Sequence, residues 1–313
     1  MTPAGTDQDR FVIIMPVLNG TDHLQEQLDS IADQTDTRWH LLVSDDGSTD
    51  DSTQRVDAFA ARFPGRVERV DGPQKGLTAN IVSLLHRIPP GTGPIALCDQ
   101  DDIWLDDRLA RDRAALSSLD PADPGLVCRC TLLCDANGTA LGLSPDRPRP
   151  ASFANALVQN IASGNTMSFN RALLTRLAEL TPALPATIYH DWWIYQIATG
   201  IGGRVLYDPE PTVRYRQHKT NLVGVPRGLT GQIKRALRQL SGNGPRDYFA
   251  HLEALNSVCH HLTPDAQSRL RACKAARTGS YLHRLRSLRK SGLYRQSKLE
   301  TLLFCWSVVT AAQ

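Results

Sequence analysis

Phe11-Val12-Ile13-Ile14-Met15-Pro16-Val17, closed by Leu18-Asn19-Gly20, is the stretch that decides the fold. A continuous apolar run bounded by turn residues is the pattern of a strand buried on both faces. Reading outward, Thr21 offers a helix cap, and Leu24, Leu28 and Ile31 recur at helical spacing. Leu41-Leu42-Val43 is a second short strand, stopped by Asp45-Asp46-Gly47-Ser48. Val56, Phe59 and Phe63 mark a helix, Val67 to Val70 a third strand, and Leu77, Ile81, Leu84 and Ile88 a third helix. Ile95-Ala96-Leu97-Cys98 is a fourth strand that runs straight into Asp99-Gln100-Asp101-Asp102. Strict strand–helix alternation predicts an α/β fold with a mostly parallel sheet and helices on both faces. Ligands of such sheets sit outside the carboxyl ends of the strands. Three of those ends, at Asn19-Gly20, Asp45-Asp46-Gly47 and Asp99-Gln100-Asp101-Asp102, are therefore expected to open onto one edge.

The rest of the chain is less regular. Leu126 to Leu133 reads as one strand, Asn137-Gly138 as a hairpin turn, and Ser144 to Pro150 as a loop. Ser163-Gly164-Asn165-Thr166 leads into a strand at Met167-Ser168-Phe169. Helices are expected over Arg171 to Leu180 and from His190, with a late strand at Arg204 to Tyr207 followed by Tyr215-Arg216-Gln217-His218. From Gly228 onward the pattern is helical. Of the 313 residues, 41% are hydrophobic and 21% charged, which excludes disordered and collagen-like chains. Seven cysteines are too few for a disulfide scaffold, and the odd count favours a reducing compartment. The first ten residues carry no apolar run, so no signal peptide is expected. The uncharged run from Thr301 to Ala312 falls short of the ~20 residues that cross a bilayer. The net charge of +3 conceals an asymmetry: from Pro226 to the end there are 15 Lys and Arg against 4 Asp and Glu, so the preceding 225 residues are acidic.

Several residue patterns bear on chemistry. Asp99 and Asp101, two apart on extended backbone, point the same way. Like charges that close raise each other's pKa unless a cation lies between them, and a divalent ion shared with substrate phosphates removes that cost. The same pattern also fits a solvated turn in which Asp102 or Asp106 caps the next helix. Asp45-Asp46-Gly47-Ser48 reads as a helix-entry turn whose carboxylates could accept from a nucleobase N–H or a ribose hydroxyl. His190-Asp191-Trp192-Trp193 sets a carboxylate at a helix start, either as a cap or as a general base. The two tryptophans point roughly 100° apart on a helix, and one use for such rings is stacking on a sugar. Cys128-x-Cys130-x3-Cys134 lacks a fourth ligand at zinc spacing and reads as buried thiols. No Gly-rich dinucleotide fingerprint, P-loop or nucleophile elbow is present.

Taken in order, Pro16-Val17-Leu18-Asn19, Ser44-Asp45-Asp46-Gly47-Ser48-Thr49-Asp50, Leu97-Cys98-Asp99-Gln100-Asp101-Asp102 and His190-Asp191-Trp192-Trp193 resemble the family-two inverting glycosyltransferases of the GT-A fold. With Asp102-x-Trp104, Gly164-Asn165-Thr166 and Tyr215-Arg216-Gln217-His218, the set resembles the bacterial rhamnosyltransferase-like branch over roughly residues 10 to 225. The resemblance implies a GT-A glycosyltransferase domain over 1–225 and a basic helical extension over 226–313. It implies that Pro16, Asn19, Asp45, Asp46, Lys75, Asp99 and Gln100 bind the nucleotide sugar. Asp99, Asp101 and His218 would hold Mg²⁺ or Mn²⁺, and Asp191 would be the catalytic base. Trp104, Gly164, Asn165, Trp192 and Trp193 would line the sugar or acceptor. Leu18 stands where an aromatic is common, and Gln232-Ile233-Lys234-Arg235 is followed by Ala236, not the Trp of processive synthases. The implied activity is inverting, metal-dependent transfer of a sugar, L-rhamnose from dTDP-rhamnose for this branch, to a glycan or lipid-linked glycan in bacterial surface polysaccharide biosynthesis. A sugar-phosphate nucleotidyltransferase and a non-catalytic nucleotide-sugar-binding subunit are the alternatives. The expected location is cytoplasmic. The cluster Arg284, Arg286, Arg289, Lys290, Arg295 and Lys298 leads into Leu302-Leu303-Phe304-Cys305-Trp306, which suits docking on the anionic inner face of the membrane. No nucleic-acid motif accompanies this charge, so nucleic acid is not an expected partner.

Overall fold

The apolar run at 11–17 forms the interior strand of a seven-stranded sheet in the computed structural model of the chain, which describes residues 9–89, 91–181, 184, 188–217 and 243–310. Two compact units are present. The first comprises Met1–Asp146, Ala162–Ala186 and Gly203–Asn221, and the second Arg147–Ile161, Thr187–Gly202 and Leu222–Gln313. The position 225/226, where the sequence divides into an acidic and a basic part, lies outside the described residues.

In the first unit, β1 (Phe11–Val17), β2 (Trp39–Asp45), β3 (Val67–Asp71) and β4 (Ile95–Leu97) alternate with α1 (Leu24–Ala32), α2 (Ser52–Arg62) and α3 (Leu77–Arg87). Then come β5 (Ile103–Trp104), α4 (Arg108–Ser117), β6 (Gly125–Arg129), β7 (Leu132–Cys134) and β8 (Ala140–Leu143). The unit is completed by β9 (Ser168–Phe169), α6 (Arg171–Leu180), β10 (Arg204–Asp208) and β11 (Val213–Arg216), while the intervening α5 (Phe153–Ala156) belongs to the second unit. The large sheet runs β10-β6-β9-β4-β1-β2-β3, and β9 pairs antiparallel with both its neighbours while the other pairings are parallel. The register aligns Val17 with Asp45 and Asp45 with Asp71, so the strand ends form one rim. Between β1 and β4 the winding reverses, which is where such sheets bind ligands.

Alternation along β1 explains the core. Phe11, Ile13 and Met15 join Leu24, Leu28 and Ile31 of α1, together with Trp39, Val56 and Phe59, in one buried cluster. Burial of each such side chain contributes about 1.5–3 kcal/mol. The edge strand β3 is mostly exposed and carries Glu68 and Arg69, which blunts edge-to-edge pairing.

Two expectations are corrected here. The run Leu126 to Leu133 is two strands, because pairing breaks at Cys130-Thr131, where the chain leaves one sheet for the other. There the Cys130 N–H donates to the Asp208 carbonyl at 3.1 Å and the Thr131 N–H to Ser144 Oγ at 3.1 Å. The second strand enters a separate sheet, β5-β11-β7-β8, whose β7–β8 turn holds Gly138 at φ +81° as the Asn-Gly signal predicts. Thr21 does not cap α1, which starts at Leu24 after His23.

The second unit contains α5 (Phe153–Ala156), α7 (His190–Gly200), α8 (Asn243–Ser257), α9 (Pro264–Ala275), α10 (Tyr281–Ser291) and α11 (Lys298–Thr310). Ser152 caps α5 by accepting from the Asn155 N–H, and the Tyr195 hydroxyl of α7 donates to Asn155 Oδ1 at 3.0 Å. A Cβ on Gly200 would lie 2.9 Å from Leu262 and 3.0 Å from Phe153, so any larger residue at that crossing would force its neighbours to shift. α10 stops at Gly292, whose φ of +64° needs no Cβ. Among the described residues no helix is long and apolar enough to cross a membrane.

Candidate active site

The rim of the large sheet is built by side chains that satisfy loop backbone. Asp45, at the end of β2, accepts from the Gly47 and Ser48 N–H groups through Oδ2, at 3.2 and 3.0 Å. Its other oxygen, Oδ1, is buried with no hydrogen bond. Such an acceptor is costly to leave unmade, and a ligand N–H or O–H would satisfy it. Asp46 spends its carboxylate on the next loop, accepting from Gln74 N–H at 2.7 Å and Gly76 N–H at 3.1 Å. It thereby shapes the loop that presents exposed Lys75. Asn19 Oδ1 accepts from the Thr49 N–H at 2.8 Å, and the Asn19 N–H donates to Ser48 Oγ at 2.9 Å. Among the described residues only Asn19 and Gln74 are non-glycine residues at positive φ, 50° and 55°, and both lie in these rim loops. Pro16 is buried within β1 opposite Ser44, while the following Leu18 is 48% exposed.

The acidic segment after β4 divides its labour. Gln100 grips the Leu18 peptide from both sides, Oε1 accepting from its N–H at 2.8 Å and Nε2 donating to its carbonyl at 3.1 Å. Asp99 and Asp101 are partly exposed. Asp102 is fully buried, accepting from Asn165 Nδ2 at 2.6 Å and from the Arg216 N–H at 3.2 Å. Burial, and then the charges of Asp99 and Asp101, push the Asp102 carboxyl well above the usual carboxylate range. The three carboxylates thus lie within mutual electrostatic reach. Among the described residues no group of three or more His, Cys, Asp or Glu could by itself hold a metal ion. His218 lies outside the described residues. The residues present fit a hard divalent ion that takes two carboxylates and completes its shell with substrate phosphates and water, not one enclosed by protein.

Other sugar-lining expectations fail on burial. Trp104 is 3% exposed, with the Arg108 guanidinium 3.7 Å from its ring centroid, so no face is open to a sugar. Asn165 is 1% exposed and binds Asp102 and Ser163; with buried Gly164 it forms a turn that braces the acidic segment. Cys128, Cys130 and Cys134 are buried, as expected of core thiols.

In the second unit, Asp191 is the second residue of α7 and partly exposed, so it does not cap the helix; Tyr189 stands at that position. Asp191 Oδ1 accepts from the Trp192 N–H at 2.7 Å, at the helix end where negative charge is favoured. The two tryptophans part as helical geometry requires. Trp193 is 1% exposed and belongs to the core, which corrects its expected place against sugar. Trp192 is partly exposed, donates Nε1–H to the Ala156 carbonyl at 2.6 Å and lies 4.2 Å from the His251 ring. His251 is buried on α8; Nδ1 meets Gln196 Oε1 at 2.9 Å, and Nε2 accepts from the Tyr189 N–H at 3.4 Å. Burial lowers its pKa to about 3. Sequence reading missed His251, since an isolated histidine in a helical stretch carries no signal. It also passed over the buried role of Asp102, whose neighbours in the motif draw the attention.

Comparison with known proteins agrees with this architecture. The sequence profile of the family described as Glycosyl transferase family 2 matches residues 12–175. The dTDP-rhamnosyl transferase RfbG of Shigella flexneri is 24% identical over 238 residues, 71% of this chain and 77% of the relative. TarS of S. aureus, solved with UDP-GlcNAc, superposes with a TM-score of 0.54 at 15% identity, covering 96% of this chain and 90% of the other. The mannosyltransferase PcManGT from Pyrobaculum calidifontis, solved with GDP-Man and Mn²⁺, gives 0.51 at 19% identity, covering 92% and 75%. These likenesses share the GT-A fold, and the family match replaces the nucleotidyltransferase and non-catalytic alternatives. Matched over more than half its length, with its acidic strand ends on one rim, the chain belongs to glycosyl transferase family 2 and is a nucleotide-sugar-dependent glycosyltransferase.

Proposed function

We propose that the chain transfers a sugar, L-rhamnose from dTDP-rhamnose, with inversion to a hydroxyl of a glycan or lipid-linked glycan of the bacterial surface. The observation that carries the nucleotide half is Asp45, whose buried Oδ1 lacks a hydrogen bond on the same rim as Asp99 and Asp101. In this reading Asp45 accepts from the base or ribose, and Lys75 approaches the diphosphate. Asn19, Asp46 and Gln100 fix the loops, and Pro16 borders the base. Asp99 and Asp101 would hold Mg²⁺ or Mn²⁺ together with the diphosphate oxygens, His218 contributing as well. Bound there, the ion supplies charge neutralisation for the departing nucleoside diphosphate. Asp191 takes the proton of the acceptor hydroxyl as that oxygen attacks the anomeric carbon from the face opposite the leaving group, which inverts the centre. General-base assistance of this kind contributes roughly 10²–10⁴ in rate. The rhamnosyl branch is supported by the motif set and by the likeness to RfbG.

The second unit supports a membrane-surface location for the acceptor. Leu282 and Leu285 of α10 and Leu299, Leu302 and Trp306 of α11 are 49–67% exposed. Arg286, Arg289, Lys290 and Lys298 are exposed on the same helices, so the occupant best matched in charge is an anionic bilayer interface. Three residues of the expected cluster turn inward instead. Arg284 binds the Val309 carbonyl, Arg295 binds the Val158 carbonyl, and Phe304 is 7% exposed.

The test of the central reading is a thermal-shift screen of dTDP-rhamnose, UDP-GlcNAc and GDP-mannose with and without Mn²⁺. A donor at 100 times its Kd stabilises by about 2.7 kcal/mol, which raises the melting point by several degrees. The expected result is the largest Mn²⁺-dependent shift with dTDP-rhamnose, and turnover that Asp191→Asn abolishes without changing that shift. No shift with any nucleotide sugar overturns the reading. Flotation with anionic vesicles, absent with neutral ones, is expected for the helical face, and no binding to either removes the membrane assignment.

A further inference from the structure

The acidic segment at 99–102 lies outside regular secondary structure, so no strand ladder sets its shape. Something else must hold Asp99 and Asp101 in a fixed direction despite their mutual repulsion. Gln100 does this on one side, through both hydrogen bonds to the Leu18 peptide. On the other side three stretches far apart in sequence meet at a single carboxylate. Asp102 Oδ2 accepts from Asn165 Nδ2 at 2.6 Å, and Oδ1 accepts from the Arg216 N–H at 3.2 Å. The Arg216 guanidinium closes the ring, donating from Nε to the Asp101 carbonyl at 3.0 Å, from Nη1 to the Ala136 carbonyl at 2.7 Å and from Nη2 to Glu26 Oε2 at 2.5 Å. Asn165 is itself held, its Oδ1 accepting from Ser163 Oγ at 2.7 Å. Asp102, Asn165 and Arg216 are each at most 1% exposed.

We propose that Asp102 is a positioning residue and not a third ligand: with Asn165 and Arg216 it forms a buried clamp that fixes the peptide of Asp101, and so the direction in which the Asp99 and Asp101 carboxylates face the diphosphate. Both of its oxygens are engaged inside the protein, and its lack of exposure leaves it no path to a bound ion. The Gly164-Asn165-Thr166 turn and the Tyr215-Arg216 pair thereby gain a function in the rim without touching substrate. The proposal rests on the glycosyl-transfer reading for what the segment binds, but the clamp itself is testable apart from it.

Two alanine variants and one exchange of partners decide the matter. Asp102→Ala and Asn165→Ala each break the clamp. The double variant Asp102→Asn with Asn165→Asp rebuilds it with the donor reversed. The new amide oxygen at position 102 would still accept from the Arg216 N–H, and the new carboxylate at position 165 would still accept from Ser163. Calorimetry with dTDP and Mn²⁺ is expected to show a loss of about 10–100-fold in affinity for each alanine variant, the range for groups that orient metal ligands. Amide hydrogen exchange is expected to accelerate together at 99–104 and 163–166, and the exchanged pair to recover both readouts. Wild-type exchange at these segments in the alanine variants overturns the clamp. So does an exchanged pair that stays as impaired as the alanines. If the wild-type chain binds no dTDP with Mn²⁺, the glycosyl-transfer reading fails, while the exchange measurements still decide the clamp.

Discussion

Lowering the pH from 7 to 5 tests the packing beneath the helix that carries Asp191. His251 is fully buried, its ring tilted against Trp192 with centroids 4.2 Å apart, and its imidazole pKa is depressed to about 3 by burial alone. The unfolded chain regains the ordinary value near 6.5. The folded state therefore resists a proton that the unfolded state accepts below pH 6.5. Stability from this group is complete above pH 6.5 and falls by about 1.4 kcal/mol per pH unit below it, until pH approaches the folded pKa. At pH 5 the loss is about 2 kcal/mol, a drop in melting temperature of about 4–8 °C from this residue. The neutral ring also has a set tautomer: Nε2 accepts from the Tyr189 N–H, so Nδ1 carries the proton and donates to Gln196. Melting of the wild-type chain and of His251→Gln is compared at pH 7, 6 and 5. Other titrating groups are common to both proteins, so the difference in slope isolates the imidazole. The variant should lose about 2 kcal/mol less than wild type between pH 7 and 5. Equal slopes would refute the assignment of a neutral, proton-rejecting His251.

Three further outcomes follow from the geometry. Arg129→Met strips Asp112, which is fully buried, of its 2.8 Å ion pair and should cost about 3–5 kcal/mol in urea unfolding; a change below about 1 kcal/mol would count against the network. Asp45→Ala removes the acceptor of Gly47 and Ser48 together with the open Oδ1, and dTDP affinity by calorimetry should fall by about 10–100-fold, the worth of a hydrogen bond to a charged group. Trp193→Ala should cost about 3–5 kcal/mol of stability, since the indole is core; a stable variant that had lost only acceptor affinity would restore the sugar-stacking role.

Much of the first unit was legible because its chemistry is local. The run at 11–17 has no exposed residue to interrupt it, and the turns at Asp45-Asp46-Gly47 and Asn137-Gly138 are fixed by the residues that make them. The break at Cys130-Thr131 was not legible. An apolar run reads the same whether it stays in one sheet or passes to another, and only the change of partners, from β10 before the break to β8 and β11 after it, marks where the first strand ends. Motif spacing singled out Asp99, Asp101 and Asp45 as candidates but could not tell a partly exposed carboxylate from the buried one that adjoins it. Trp104 and Trp193 illustrate the same gap. Aromatic rings suit both a sugar and a core, and helical phase alone does not decide which of two adjacent tryptophans points inward.

Besides bonding to each other, α5, α7 and the residues beside them take partners from later in the chain. Asn155 Nδ2 donates to the Tyr294 carbonyl, Gln159 Oε1 accepts from the Gln296 N–H, the Thr263 N–H donates to the Gly200 carbonyl, and Trp192 rests on His251. During synthesis the segment bearing Asp191 thus leaves the ribosome roughly sixty residues ahead of His251 and about a hundred ahead of Tyr294. At about 5–20 residues per second it waits for several seconds or longer before these later supports exist. A nascent chain ending near residue 225 would carry Asp191, the proposed base, on a helix that already has its bonds to α5 but lacks His251 beneath Trp192, so the full packing around α7 should form only after the segment through Tyr294 has emerged.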